Sequence, residues 1–340
     1  MNKPVTVTSI ADLRQLLEAS KLLGPRELAA LDASAPSDAR KGAGFLVTNG
    51  WLTKWQAGQL LGGFHRLVVG NYHLAQEIGR GYWGRVYLAD HGKLRKRVAL
   101  KVLSPQLSTQ TVQVERFLAE ARLAATLEHP NLIQVSDAGR DGERTFVVME
   151  YVAGTDLRQY VQKRGPIDIS RVIGWGLQVA EACEYLHRHG VVHGRLCPAC
   201  LMVTDADTVK IQGVAAWSRP QVAPRETDVS GCYRAPEPSP PDARSDIYSL
   251  GRTMQFLLTG RPPRVAIRAP NDPAGTVADT ALRTEAIPDV PRPLAVILDR
   301  MTAADPDQRY RNMAEVAAAF ESLRSESPAG RCLPTAVNVW

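Results

Sequence analysis

Three glycines, Gly79, Gly81 and Gly84, sit between two stretches of alternating strand-like residues at 72–78 and 85–89. In a dinucleotide-binding unit this spacing would follow a strand and open a helix. Here a second strand follows at once, so the glycines read as the turn of an antiparallel hairpin able to close over phosphates. A third strand-like run spans 97–103, and helical periodicity comes only afterwards, at 114–127, 157–163, 169–189 and 245–258. Strands first and helices later predict an α+β chain, a small antiparallel sheet lobe followed by a larger helical lobe.

Ahead of the sheet, residues 8–61 read as short helices separated by turn signals. Thr8 or Ser9 is placed to cap a helix over 10–19, with Leu13, Leu16 and Leu17 on one face. Gly24-Pro25 starts a second helix with Leu28 and Leu31 as its apolar side, because proline suits a first turn whose N–H would be unpaired anyway. Residues 20–31 laid over 49–60 form a weak repeat in which Leu22/Trp51, Leu23/Leu52, Ala29/Gly58 and Leu31/Leu60 coincide. Two copies are too few for a solenoid, so the segment is expected to cap the main domain, with a recruitment module as the alternative. Gly62-Gly63 marks its end. The expected organisation is a helical module at 1–66, a main domain at 67–325 (sheet lobe 67–154, helical lobe 155–325) and a loose tail at 326–340.

A length of 340 residues suits about two domains. The net charge of +6 is spread along the chain, which argues against nucleic acid or a membrane surface as partner. No apolar run approaches a membrane span and the polar start lacks a signal-peptide core, so the expected location is the cytoplasm. Five cysteines, an odd number, do not make a disulfide framework.

After the glycine turn, Lys101 follows in Val98-Ala99-Leu100-Lys101, and Glu120 lies nineteen residues further on, an ammonium and a carboxylate to position it. Next come His129-Pro130-Asn131, the run Val147-Val148-Met149-Glu150-Tyr151-Val152-Ala153-Gly154, Tyr233-Arg234-Ala235-Pro236-Glu237, Asp246-Ile247-Tyr248-Ser249-Leu250-Gly251 and Asp305-Pro306-Asp307-Gln308-Arg309-Tyr310. In this order the motifs resemble the serine/threonine protein kinase family, in the style of the bacterial eukaryotic-like kinases, over about residues 71–325. The resemblance implies a two-lobed kinase-like fold. It also implies that Ile78, Gly79, Gly81, Gly84, Val86, Ala99, Lys101, Glu120, Met149, Glu150, Val152 and Met202 contact a nucleotide. Of these, Val86, Ala99 and Met202 would sandwich the adenine, while backbone groups of Glu150 and Val152 bond its edge. Glu237 would pair with Arg309, and Asp246 would cap backbone amides behind His193.

The departures fall where the family does its chemistry. Its His-Arg-Asp-Leu-Lys-Pro-x-Asn loop reads His193-Gly194-Arg195-Leu196-Cys197-Pro198-Ala199-Cys200, and thirteen residues later Gly213-Val214-Ala215 stands for Asp-Phe-Gly. Arg195, a guanidinium that stays protonated, cannot accept a proton near neutral pH. Cys197 replaces the lysine that contacts the transferring phosphate, and Cys200 and Gly213 replace the two magnesium ligands, where a hard cation needs oxygen. Gly194 replaces the arginine that pairs with an activation-loop phosphate. The pattern resembles a pseudokinase: no catalytic residue, no metal, ATP or ADP bound if at all without magnesium, and a protein partner such as another kinase or signalling protein.

Two other readings stay open. An unconventional kinase would need substitute carboxylates; Asp205 and Asp207 read as a hairpin turn, leaving Glu226 and Asp228 of the activation segment as candidates. A Cys197-x-x-Cys200 pair could instead cycle between dithiol and disulfide, or bind zinc with His193 and Cys232. Tyr82 and Trp83 make the glycine turn bulky, placed to fill the phosphate site, to stack on a partner or only to cover the lobe beneath, and Arg195 is placed to face nucleotide phosphates in place of the metal or to point to solvent.

Overall fold

The computed structural model describes residues 7–214, 229–237, 240–263 and 290–326. Two compact units form, one from residues 1–125 and 134–151, the other from 126–133 and 152–340. The N-terminal helices thus fall in the same unit as the sheet.

The first unit begins with α1 (Ile10–Ser20), α2 (Pro25–Ala33), α3 (Ala39–Thr48) and α4 (Lys54–Leu61). Each starts where the sequence supplies a partner or a substitute for an unpaired first-turn N–H. The Asp12 N–H donates to Ser9 Oγ at 3.1 Å, Lys41 N–H to Asp38 at 2.8 Å and Gln56 N–H to Thr53 at 3.1 Å. Helix α2 opens on Pro25, and the Glu27 carboxylate accepts the Gly24 N–H. Leu13, Leu17, Leu31, Leu46 and Leu60 are fully buried in one cluster. The repeat appears in this packing: Leu31 and Leu60 are both buried, and Ala29 and Gly58 are both exposed.

Next follow β1 (Val68–Val69), β2 (Tyr72–Arg80), β3 (Gly84–His91), β4 (Arg97–Leu103), α5 (Pro105–Ser108), α6 (Thr111–Ala125), β5 (Val135–Asp141) and β6 (Arg144–Glu150). The strands form one sheet in the order β1-β2-β3-β4-β6-β5, antiparallel throughout. Helix α4 docks on it: Gln56 Nε2 donates to the Leu74 carbonyl at 2.8 Å, Thr53 Oγ1 to the Ala75 carbonyl at 2.7 Å, and Trp55 packs on Tyr87 with ring centres 5.8 Å apart.

The second unit holds β7 (Gly154–Asp156), α7 (Leu157–Arg164), α8 (Ile169–Arg188), β8 (Leu201–Thr204), β9 (Val209–Ile211), α9 (Ala243–Thr259), α10 (Arg292–Met301) and α11 (Met313–Glu326). Asp156, Asp168 and Asp242 accept first-turn N–H groups of α7, α8 and α9, and Asp242 starts α9 two residues before its apolar periodicity begins. Helix α8 is central, burying Trp175, Val179, Cys183 and Leu186 in a core shared with Met254 of α9, Leu298 of α10 and Phe320 of α11. Among the described residues no helix is long and apolar enough to cross a membrane. The expected tail lies outside the described residues except for Glu326.

Candidate functional site

In the first unit the glycines form the tight end of the β2–β3 hairpin, with N–H to carbonyl bonds running both ways between Gly81 and Gly84 at 2.8 and 3.2 Å. Gly84 has φ +147°, and a Cβ there would stand 2.2 Å from the Val102 carbonyl oxygen, so only glycine fits. Strand register brings several expected nucleotide contacts together, because Val86 lies opposite Lys101 and Ala99 opposite Met149. Ala99 and Lys101, two residues apart, share one face of β4. Gly79 pairs with Val86, and Ile78 is exposed. The Glu150 N–H donates to the Gln134 carbonyl at 2.8 Å. Val152 and Met202 belong to the second unit, Met202 opposite Asp156 in the small β7-β8-β9 sheet.

Of the readings open for the loop tip, Trp83 takes the covering one. It is fully buried, not displayed, with its ring 5.5 Å from Phe117 and 4.9 Å from Tyr82. Its indole N–H donates to Glu120 Oε2 at 2.9 Å. Phe117 and Glu120, three residues apart, lie on one face of α6 and receive the indole's ring and its polar edge. The Lys101 ammonium lies 5.7 Å from the Phe117 ring centre. Glycine turn, α6 and Lys101 are thereby joined through one aromatic. Trp83 and Glu120 are 37 residues apart, and no periodicity in the sequence signals their contact.

In the second unit the segment around His193 is held from beneath by the fully buried Asp246. Its carboxylate accepts the His193 N–H at 2.8 Å and the Gly194 N–H at 2.7 Å, and His187 Nε2 lies 2.9 Å away. The His193 ring accepts the Arg195 N–H at Nδ1 (3.3 Å) and faces the Gln212 carbonyl with Nε2 (3.1 Å), which places its proton on Nε2. Gly194 and Gly213 have φ +69° and +81°, in the left-handed region that favours glycine. Gly194 also lines a cleft of about 190 Å³ with Arg234, Glu237, Pro241 and Ser249. Cys200 Sγ lies 3.3 Å from Cys197 Sγ and 3.4 Å from the Arg195 carbonyl.

Glu237 and Arg309 form a bidentate pair with both bonds at 2.8 Å. Ser245 adds a hydroxyl bond to Glu237, and Arg309 stacks 4.9 Å over Tyr248. Burial pushes the Glu237 carboxyl up, but Arg309's hydrogen bonds and charge outweigh it and hold the acid below its ordinary value. Asp207 stands in the β8–β9 turn and pairs with Arg171, as a turn residue would. Glu226 and Asp228 lie outside the described residues. The four-ligand zinc arrangement is not formed, since His193 is turned to Gln212 and Arg195. Among the described residues no group of three or more His, Cys, Asp or Glu is placed to hold a metal.

Comparison with known proteins agrees with this geometry. The protein kinase domain model matches residues 72–320. A probable serine/threonine-protein kinase of Clostridium acetobutylicum is 32% identical over 263 residues, which take in 74% of this chain and 39% of that protein. Serine/threonine-protein kinase PknB of Mycolicibacterium smegmatis is 33% identical over 266 residues, 73% of this chain and 42% of that protein. The crystal structure of the Mycobacterium tuberculosis PknI kinase domain matches with a TM-score of 0.59 at 28% identity, covering 75% of this chain and 97% of that one. The chain belongs to the protein kinase family, among the bacterial eukaryotic-like serine/threonine kinases, and has their two-lobed α+β fold. It spans about two fifths of the length of the curated relatives it matches.

Proposed function

We propose that this protein is a pseudokinase, a kinase-shaped scaffold or allosteric regulator for a signalling partner in the cytoplasm, which binds ATP or ADP without magnesium. The observation that carries the reading is Cys200: at the position of a magnesium-binding asparagine, its thiol faces Cys197 and the Arg195 carbonyl. Arg195 and Gly213 support it, since neither supplies the carboxylate that proton acceptance or the second metal site needs. Losing a general base costs about 10²–10⁴ in rate and losing the metal several kcal/mol more, from a starting rate of roughly 1–100 per second. Lys101, Glu120 and the glycine turn are retained, which favours nucleotide binding without turnover. Thermal unfolding with ATP or ADP, with and without magnesium, tests this. The expected result is a nucleotide shift that magnesium leaves unchanged, and an added shift of several degrees with magnesium would overturn it.

An unconventional kinase is the second reading, favoured by the relatives' own description as serine/threonine kinases. Its signature is radiolabel transfer from ATP to the chain itself or a basic substrate, abolished by Lys101→Met. The pseudokinase reading expects none above background.

A further inference from the structure

Cys197 and Cys200 flank Pro198 and Ala199 in a single short helical turn, Pro198–Cys200. Their sulfurs are 3.3 Å apart. A disulfide needs about 2.05 Å, so side-chain rotation over about 1.3 Å closes the bond. The turn is already clamped: Gln212 donates its backbone N–H to the Cys200 carbonyl at 2.9 Å and its side-chain amide to the Ala199 carbonyl at 2.8 Å. The two thiols differ in access, because Cys197 is 6% exposed and Cys200 is open to solvent in part. Burial raises the Cys183 thiol well above its ordinary value.

We propose that Cys197 and Cys200 are a redox-active dithiol that a peroxide converts into an intramolecular disulfide. Cys200, the more exposed of the two residues, attacks one oxygen of hydrogen peroxide; the O–O bond breaks, the other oxygen leaves as water with the thiol proton, and Cys200 becomes a sulfenic acid. Cys197 then attacks that sulfur, the S–O bond breaks, and a second water leaves with the Cys197 proton. Two thiols are oxidised and one peroxide is reduced to two waters. The new bond fixes the turn that Gln212 grips, so the oxidation state reaches the residue beside Gly213. The switch is independent of whether the chain binds nucleotide or transfers phosphate.

The full chain, freshly reduced, is treated with hydrogen peroxide and examined by intact mass and peptide mapping. The expected result is a loss of about 2 Da, reversed by dithiothreitol, with Cys197 and Cys200 linked in one peptide. Cys197→Ser should leave Cys200 as a sulfenic acid, about 16 Da heavier and trapped by dimedone, and Cys200→Ser should abolish the loss. In the reduced wild-type chain, iodoacetamide should label Cys200 at least tenfold faster than Cys183. Wild-type peptides in which both thiols stay reduced, or a bond from either cysteine to Cys232 or Cys332, would overturn the proposal without reliance on a variant.

Discussion

At the residue scale, Trp83 and Gly84 show how little freedom the glycine turn has. Trp83 is fully buried with its indole N–H on Glu120, so Trp83→Phe removes a bond to a charged group, worth about 1.5–3 kcal/mol. Urea unfolding of Trp83→Phe, Glu120→Gln and the double variant should give non-additive losses, the double costing less than the sum. Gly84→Ala sets a Cβ against the Val102 carbonyl and strains a positive φ. It should destabilise the protein by at least about 1–3 kcal/mol by the same measurement, and a neutral effect would mean that the hairpin relaxes freely.

At the element scale, α4 is tied to the sheet by polar groups. Gln56 is buried, donates to the Leu74 carbonyl and accepts the Thr53 N–H at 2.7 Å, so Gln56→Ala leaves two backbone groups without this partner. The expected cost is about 1–3 kcal/mol, with faster hydrogen exchange at α4 and β2 amides than elsewhere in the sheet. A helix carried only for recruitment would lose its own protection and leave β2 unchanged. The 193–200 segment is held in the same manner, by one buried carboxylate. Asp246 accepts two of its N–H groups, and truncating that charge would leave both without it.

At the scale of the whole molecule, the carboxyls held below their ordinary values set the acid limit of stability. Asp38 is lowered first by the Lys41 N–H. In Asp168 and Asp242 burial acts upward, and hydrogen bonds from Ser170 and from the Ser245 backbone overcome it. Glu237 is lowered by Arg309 against burial, and His129 is lowered by burial itself. In each case the folded pKa lies below the unfolded one, so the contribution is complete above the unfolded value and fades as pH falls toward the folded value. The melting temperature should therefore decline first below about pH 6.5, where the unfolded chain takes up a proton that buried His129 resists, then more steeply below about pH 4.5. Glu237→Gln should lower stability at pH 7 and flatten the lower part of this profile. An unchanged profile would mean that the Arg309 pair does not contribute.

The order of strands and helices, the first two helix starts and the family were legible along the chain. Those follow from local causes: alternation at 72–103, the Ser9 cap and Pro25 at the first two helix starts, and motifs that keep their spacing. The sequence also identified the replaced residues at 195, 197, 200 and 213, because a motif is read position by position. Tertiary structure alone decided what those side chains touch. For Trp83 the sequence left filling a phosphate site, stacking on a partner and covering the lobe all open; Phe117 and Glu120 reach it only once α6 packs on the sheet. His193 looked available to a metal until the fold placed Gln212 against its ring, and the two thiols gained a measured separation only from the turn that Gln212 clamps. Local propensity and motif spacing act along the chain, whereas burial and hydrogen-bond partnership act between residues that only the packed fold brings together.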